Sequence, residues 1–269
     1  MAEVKNGMRA DIYLHTRGYC ESRSRASSDI KSGCLYVNGK NIKKNSFEIS
    51  DGDTVELRGR STVYVGRGGD KLEKALTEFC IDIKGTVCAD IGASTGGFTD
   101  CLLRHGAVKV YAVDCGCGQL HPSLRSDPRV KNIEKFNARL LTPDTFGEKC
   151  DVAVMDVSFI SQTAIIPAVV RVLKDGGKLI TLIKPQFECG KEHIGKNGIV
   201  RKAEYRAEAV SKVLSAASDH GLSQEGLCES PIKGGDGNTE FLAYFVMRRK
   251  IPDGLEKVGE ISLENGPER

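Results

Sequence analysis

Two lysines and two carboxylates lie at sequence positions from which their side chains could orient a reacting hydroxyl group and accept its proton. Asp156 and Lys184 each follow a short apolar run typical of a buried strand. Glu240 opens a final apolar run, and Lys71 lies in the first turn of an amphipathic segment. Because ligands and chemistry in open α/β sheets collect outside the carboxyl ends of the strands, we expect all four to converge at one edge. Each residue taken singly is typical of a surface ion pair, so the prediction rests on their shared placement.

A glycine-rich turn earlier in the chain could hold a small polar cofactor. It runs from residue 92 to residue 98, between an apolar run at 86–89 and a segment with helical spacing. Glycine lets the backbone approach a ligand, and a helix N-terminus offers unpaired N–H groups. The pattern is neither the dinucleotide signature Gly-x-Gly-x-x-Gly nor the phosphate-loop signature Gly-Lys-Ser/Thr. Asp90 precedes the turn, and Asp114 ends the next strand, where a carboxylate can accept both hydroxyls of a ribose.

Asp90, the turn and Asp114 together resemble the S-adenosylmethionine (SAM) site of class I methyltransferases. The resemblance implies an α/β fold with a Rossmann-like seven-stranded sheet that ends in an antiparallel hairpin. The two final strands expected at 222–227 and 240–247 fit that hairpin. It also implies SAM as the cofactor, bound by Asp90, Gly92, Ala93, Ser94, Thr95, Gly96, Gly97, Phe98, Asp114, Asn137 and Asp156.

The spacing of apolar residues predicts the elements between these points. We expect a short helix at 118–122, a helix at 163–173 and a strand at 176–184. A loop rich in glycine and lysine follows at 186–202, and a helix is expected at 206–220.

The residues at the strand ends narrow the choice of a methyl acceptor. Enzymes that methylate exocyclic amines carry Asn/Asp-Pro-Pro-aromatic after the fourth strand, whereas this chain has Asp156-Val-Ser-Phe159. Methylation of a pyrimidine carbon usually needs a Cys nucleophile, commonly after Pro, and here Lys184-Pro185-Gln186 stands instead. A ribose 2′-hydroxyl fits better, since a lysine partly removed from water and held neutral could accept its proton.

At this point the chain resembles one family closely. The Lys-Asp-Lys-Glu tetrad of the FtsJ-type RNA ribose 2′-O-methyltransferases is matched, in order and strand position, by Lys71, Asp156, Lys184 and Glu240. The strings DIGASTGGF, DVSFI, KPQFE and GKEHIG are similar to the TlyA family, and the similarity extends over nearly the whole chain. The resemblance implies a SAM-dependent methyltransferase that acts on cytidine ribose in ribosomal RNA. It also implies that the tetrad is catalytic, with Lys184 at its centre.

The first 60 residues form a separate basic module in this interpretation. Residues 1–69 hold 12 Lys and Arg against 8 Asp and Glu, a balance of +4, whereas the remainder of the chain carries −1. Ile12, Leu14 and Tyr19 are expected to face a core from a first helix, and Asn38-Gly39 predicts a hairpin. A basic face on a small domain is typical of a polyanion-binding surface, although charge alone also fits a solvated surface.

This module resembles the S4 RNA-binding domain in its segments 9–14, 22–25 and 32–40 and in its turn at 51–53. The resemblance implies contact with structured RNA through basic side chains, which position a protein without reading sequence. Ribosomal RNA and ribosomal subunits are the expected partners. The predicted RNA-binding residues in both parts of the chain are Arg9, Arg17, Arg23, Arg25, Lys40, Arg67, Lys191 and Lys196.

Composition predicts a globular, cytoplasmic protein with two domains. We expect an RNA-binding domain at 1–60, a linker at 61–66, a methyltransferase domain at 67–250 and a disordered tail at 251–269. No apolar run reaches the roughly 20 residues that span a bilayer, and the N-terminus lacks the apolar core of a signal peptide. The 10 cysteines are scattered, so we expect reduced thiols. Cys115-Gly-Cys117 has no second pair with ligand spacing, so we expect no metal site.

Two other functions stay open from the sequence. Some members of the family are labelled hemolysins, so direct lysis of membranes is one alternative. The absence of a spanning segment or a long amphipathic helix disfavours it. The other alternative is an RNA-binding assembly factor whose second domain senses SAM without catalysis, which the intact tetrad disfavours.

Overall fold

A computed structural model of the chain describes residues 7–20, 23–58 and 62–248. The predicted tail at 251–269 lies outside these residues. The chain divides into two compact units, Met1–Gly66 and Arg67–Arg269.

The first unit packs two helices on short antiparallel strands. Its elements are β1 (Met8–Arg9), α1 (Ala10–Thr16), α2 (Arg23–Lys31), β2 (Leu35–Val37), β3 (Lys40–Ile42), β4 (Glu48–Ile49) and β5 (Val55–Leu57). Strand β1 pairs with β4, and β2 lies between β3 and β5. The predicted hairpin is confirmed, because Asn38 and Gly39 both adopt the positive φ that a tight two-residue turn requires. Leu14 is buried as predicted, but Ile12 is only partly buried and lies outside the core cluster of this unit. Tyr19 is exposed and stacks on Tyr13 instead of entering the core.

The second unit is a larger α/β structure. In chain order it contains α3 (Gly68–Glu78), β6 (Val87–Ile91), α4 (Gly97–Arg104), β7 (Lys109–Val113), α5 (Pro122–Arg125), β8 (Val130–Ile133), α6 (Pro143–Phe146), β9 (Cys150–Met155), α7 (Ile166–Val172), β10 (Leu173–Ile183), α8 (Pro185–Glu188), α9 (Ala203–Asp219), β11 (Leu222–Glu229) and β12 (Phe241–Met247). Short 3₁₀ turns lie at Ala138–Leu140, Gln162–Ala164, Lys191–His193 and Lys196–Gly198.

Its seven strands form one sheet in the order β11-β12-β10-β9-β6-β7-β8. Strands β6 to β10 are parallel, and β12 runs antiparallel to both β10 and β11. The predicted class I methyltransferase sheet with its terminal hairpin is therefore confirmed. The chain leaves β6 first toward β7 and later returns on its other side as β9, so a crevice opens at the carboxyl ends of β6 and β9.

Side-chain alternation along the strands divides the core between the two faces of the sheet. Ala89 and Ile91 of β6 belong to one buried cluster with Val169 of α7 and Val213 of α9. Asp90 lies between them and therefore faces the opposite side of the sheet. The strand thus buries a carboxyl group directly below the glycine-rich turn.

Three predicted helices begin or end elsewhere. The helix expected at 206–220 is α9, which begins at Ala203 and ends at Asp219. The short helix expected at 118–122 starts only at Pro122, because His121 caps it by accepting from the backbone N–H of Ser123. The helix expected at 163–173 is a 3₁₀ turn followed by α7, which ends at Val172. Leu173 already pairs with Cys150 of β9, and the register shift between Leu173 and Lys178 accommodates the glycines before the rest of β10.

Candidate active site

The turn between β6 and α4 brings two strand ends unusually close. Gly92 has φ of +87°, and a Cβ there would lie 2.5 Å from the carbonyl oxygen of Asp156. The backbone N–H of Asp156 in turn donates to Ile91 O at 2.9 Å. Only glycine combines this conformation with this approach, so Gly92 is required for the ends of β6 and β9 to meet.

Two adjoining cavities open beside this turn. The larger has a volume of about 610 Å³, with an apolar wall formed by Val113, Phe136, Ile160 and Ile165 and a polar edge at Asp114. The smaller has a volume of about 220 Å³ and lies against the turn and Lys184. They share a border formed by Gly92, Ser94, Asp156 and Ser158.

Most of the predicted cofactor residues line one cavity or the other. These are Gly92, Ala93, Ser94, Thr95, Gly97, Phe98, Asp114, Asn137 and Asp156. Gly96 and Asp90 line neither of the two. Gly96 has φ of +95° at the N-cap of α4, and a Cβ there would collide with the side chains of Leu120 and Leu124. The lack of a side chain at Gly96 therefore lets Leu120 and Leu124 pack against the N-terminus of α4.

Asp90 is the clearest difference from the predicted cofactor set. It is fully buried, its Oδ2 accepts from Thr99 Oγ1 at 2.6 Å, and its Oδ1 is buried without a hydrogen-bond partner. Burial, with smaller contributions from the carboxylates of Asp156 and Asp114, raises the pKa of Asp90 to about 7. Asp90 thus anchors α4 on the sheet beneath the turn rather than facing the cavity.

Asp114 occupies the predicted position at the end of β7. Its Oδ2 accepts from the backbone N–H of Ser94 at 2.8 Å, and its Oδ1 accepts from that of Gly116 at 2.7 Å. A carboxylate has about four lone-pair positions, so both oxygens keep acceptor capacity toward the larger cavity. Asn137 lines the same cavity, and its Oδ1 caps a 3₁₀ turn by accepting from the backbone N–H of Arg139.

The four residues of the predicted tetrad form two ion pairs. Lys184 Nζ lies 2.6 Å from Asp156 Oδ1, a contact without regular hydrogen-bond geometry, and donates to Ser158 Oγ at 2.8 Å. Lys71 Nζ donates to Glu240 Oε2 at 2.5 Å, and both residues of this pair are buried. Lys184 and Asp156 line the smaller cavity, whereas Lys71 and Glu240 line neither cavity.

Two residues of this site were not singled out from the sequence. Ser158 holds the Lys184 ammonium and borders both cavities. Phe159 is 91% exposed, has φ of +64° and lines the larger cavity, with its ring centroid 5.2 Å from that of Phe187. Positive φ is uncommon for a bulky residue, and nothing in the string Asp156-Val-Ser-Phe159 indicates it.

The predicted RNA-binding residues of the first unit differ in their partners. Arg9 and Arg23 each lie 3.0 Å from a carboxylate oxygen of Asp11. Burial would raise the pKa of Asp11, but hydrogen bonds from the two guanidinium groups outweigh it, and the pKa is lowered. Arg17 pairs with exposed Asp51 at 3.1 Å, and Lys40 is exposed. These four basic side chains remain accessible at the surface.

Arg25 does not share that exposure. Its side chain is 15% exposed, pairs with Asp29 at 3.2 Å and donates to the backbone oxygens of Tyr64 and Thr62. The guanidinium group therefore ties α2 to the segment at 62–64, a structural task that the basic pattern did not reveal.

The remaining predicted RNA-binding residues lie in the second unit. Lys191 and Lys196 are exposed in 3₁₀ turns, and Arg67 precedes α3 and donates to Lys233 O at 2.9 Å. Exposure leaves both lysines available to a polyanion, and their role stays a prediction.

Comparison with known proteins identifies the family. Residues 64–247 match the model of the FtsJ-like methyltransferases, and residues 8–55 match the S4 domain. The 16S/23S rRNA (cytidine-2′-O)-methyltransferase TlyA of Mycobacterium tuberculosis is 39% identical over 266 residues, which cover 96% of this chain and 98% of the relative. The chain belongs to the TlyA family of FtsJ-like methyltransferases.

Other TlyA-like proteins carry a different name. Hemolysin A of Brachyspira hyodysenteriae is 46% identical, with 89% of this chain and all of the relative covered. A solved structure described as a hemolysin from Streptococcus thermophilus is 42% identical with a TM-score of 0.74, and 92% of each chain is covered. None of the helices in the described residues combines the length and apolar character that crossing a membrane requires.

SAM is the cofactor of this methyltransferase, and the two cavities fit its parts. The larger cavity offers an apolar wall for an adenine ring and the Asp114 carboxylate for ribose hydroxyls. The smaller cavity offers the backbone of the turn, next to the Lys184–Asp156 pair. Because Gly92 borders both cavities, a side chain there would obstruct their junction.

Proposed function

We propose that this protein methylates the 2′-hydroxyl of a cytidine ribose in ribosomal RNA. The observation that carries the proposal is the Lys184–Asp156 ion pair, which lies at the wall of the smaller cavity with Ser158 beside it. A poorly acidic hydroxyl needs a group that orients it and accommodates its proton, and a lysine at this position can do both. The names of the rRNA methyltransferases among its relatives support the choice of substrate.

The proposed chemistry assigns unequal tasks to the tetrad. SAM supplies an electrophilic methyl group when bound. Lys184, when its Nζ is neutral, would accept the proton of the 2′-hydroxyl as the oxygen forms its bond to the methyl carbon and the bond from that carbon to sulfur breaks. Asp156 balances the ammonium that results, and Ser158 Oγ fixes the direction of Nζ. Lys71 and Glu240 act as positioning residues, because their pair joins α3 to the residue before β12.

The exposed ring of Phe159 supports a planar substrate at the mouth of the larger cavity. Phe159 is 91% exposed, and bases stack readily on an exposed aromatic ring. A flipped nucleotide could rest there while its ribose reaches the Lys184–Asp156 pair.

The proposed organisation assigns RNA anchoring and catalysis to different parts of the chain. Residues 1–60 would bind RNA, 61–66 would link, and 67–250 would hold SAM and carry out methyl transfer, in a cytoplasmic protein that meets ribosomal subunits. The separate matches to the S4 domain and to the methyltransferase model support this division. Arg9, Arg17, Arg23 and Lys40 contribute exposed positive charge to the first part.

The test is to identify the methylated atom. Purified protein is incubated with labelled SAM and ribosomal subunits, and the RNA is digested to nucleosides for mass spectrometry. We expect 2′-O-methylcytidine with wild type and with the control Lys174→Ala, which removes an exposed lysine paired with Asp151 at the other end of β10. A methyl group found on a base, or incorporation by wild type into neither ribosomal subunit, would overturn the proposal.

A further inference from the structure

Three side chains of the types that bind transition metals meet between α3 and α4. Cys101 lies on α4, His105 caps the C-terminus of that helix four residues later, and Glu73 faces both from the middle of α3. Glu73 Oε2 lies 2.6 Å from His105 Nε2 and 4.0 Å from Cys101 Sγ. The possible ligand atoms of these three side chains all lie within 4.8 Å of one another.

We propose that Glu73, Cys101 and His105 form a Zn²⁺-binding site outside the catalytic cavities. A thiolate, an imidazole and a carboxylate are the ligands that zinc accepts, whereas Mg²⁺ and Ca²⁺ prefer oxygen alone. Zinc bonds of about 2.0–2.3 Å in tetrahedral geometry place ligand atoms roughly 3.3–3.7 Å apart. The distance from Glu73 Oε2 to His105 Nε2 is 2.6 Å and that to Cys101 Sγ is 4.0 Å, each within 1 Å of the separation expected around zinc. Rotation about the side-chain torsions of Glu73 and His105 can supply this change.

The burial of the three ligands suits a site with one open position. Cys101 is fully buried, whereas the side chains of His105 and Glu73 are 35% and 41% exposed. An ion can therefore enter from the solvent side, with water as the fourth ligand, while the sulfur is protected from solvent. On binding, the thiol proton of Cys101 leaves to solvent, and any proton shared by Glu73 and His105 is displaced.

The site connects the two helices that carry parts of the candidate active site. Gly68 is the first residue of α3, and Gly97 and Phe98 are the first two residues of α4. All three residues line the smaller cavity. The helices pack closely there, since a Cβ on Gly68 would lie 3.3 Å from Phe98 Cδ1. A zinc ion bound by ligands from both helices would stabilise this packing, so occupancy should raise thermal stability.

The experiment uses the full-length protein after treatment with a chelator and titrates it with Co²⁺, whose coordination is visible by absorption. We expect one Co²⁺ per chain, a thiolate-to-cobalt charge-transfer band, its loss on adding Zn²⁺, and an increase in Tm with either ion. Cys101→Ser should abolish the band. His105→Gln should weaken Zn²⁺ binding more than about tenfold, since even residues behind the direct ligands contribute that much.

Matched variants separate this site from other thiols and from a simple ion pair. Cys117→Ser and His121→Gln remove an exposed cysteine and a second histidine of the same domain, and both should keep the band and the gain in Tm. Circular dichroism checks that each variant is folded. If Cys101→Ser does not fold, the half-exposed His105→Gln still decides the question. The proposal is wrong if wild type shows no thiolate band, if His105→Gln keeps full affinity, or if Cys117→Ser loses the band.

Discussion

The two lysine–carboxylate pairs of the tetrad have the same chemistry and different surroundings. Lys184 and Asp156 line the smaller cavity, and Lys184 also donates to Ser158. Lys71 and Glu240 are buried against each other and line neither cavity. A pair at a cavity wall can exchange a protein contact for a ligand contact, whereas a buried pair can only hold its own elements together. Matching a family tetrad therefore does not imply that its members contribute in the same way.

The largest expected effect is on the pair at the cavity wall. Lys184→Ala should reduce the single-turnover rate of methyl transfer by roughly 10²–10⁴-fold, as for a lost acid–base group, and leave SAM affinity nearly unchanged. Rapid-quench incorporation of labelled methyl groups measures the rate, and calorimetry measures SAM binding.

The variant Lys184→Arg distinguishes electrostatic positioning by Lys184 from proton acceptance. Arginine keeps the positive charge but does not deprotonate at working pH. Recovery of the rate would mean that Lys184 acts by electrostatic positioning, and failure to recover would favour a proton acceptor. Lys184→Ala with a wild-type rate would contradict the assignment of the whole tetrad.

Disrupting the buried Lys71–Glu240 pair should lower the stability of the fold. Removing one partner leaves an uncompensated buried charge, so Lys71→Met or Glu240→Leu should each lower the free energy of unfolding by about 3–5 kcal/mol. The double variant should recover much of this loss, because neither charge is then left alone. Urea denaturation of the four proteins measures the coupling. Equal losses in the single and double variants would show that the pair is not held as described.

Much of this site could be predicted because the carboxyl ends of parallel strands always lie at the same edge of their sheet. That rule placed Asp114, Asp156 and Lys184 at one edge from the apolar runs alone. It could not decide which side of a strand a residue faces, so Asp90 was assigned to the cofactor although it lies beneath the turn. Phe159 was not found because its exposure depends on a positive φ that the sequence does not indicate.

The proposed zinc site also depends on packing that the sequence does not reveal. Cys101 and His105 have helical spacing that is visible in the sequence, but Glu73 comes from a different helix. Only packing brings the three together. The prediction of no metal site considered cysteine spacing and could not include a contact between helices.

A smaller effect is expected at Asp114, whose carboxylate lines the larger cavity and accepts from two backbone N–H groups. Asp114→Ala should weaken SAM binding by about 1–3 kcal/mol, because a ribose hydroxyl pair would lose its acceptor. Asp127→Ala removes a carboxylate that pairs with Arg129 outside the site, and it should leave SAM affinity unchanged. Isothermal calorimetry compares the two variants. Equal affinities for wild type and Asp114→Ala would exclude Asp114 from the SAM site.

Asp90 predicts a dependence of stability on pH. Its pKa is about 7 in the folded chain, where burial is the main cause, against 3.8 as the ordinary value. Between these values the folded chain holds a proton that the unfolded chain has lost, so this group lowers stability as pH rises from about 4 to about 7. Asp90→Asn should remove that decline in denaturant unfolding measured across the range. An unchanged pH slope in Asp90→Asn would mean that Asp90 is ionised in the fold.

The smallest expected effect separates two arginines of the first unit that the sequence treats alike. Arg17 is exposed and pairs with exposed Asp51, so its removal should cost little stability. If it contacts an RNA phosphate, Arg17→Ala should weaken binding and reduce the slope of log affinity against log salt by about 1. Arg25 binds buried Asp29 and two backbone oxygens, so Arg25→Ala should instead lower Tm. Filter binding at several salt concentrations and thermal unfolding measure both variants. A reduced salt slope with unchanged Tm in Arg25→Ala would mean that its guanidinium group leaves Asp29 to bind RNA, so that Arg25 and Arg17 would act alike.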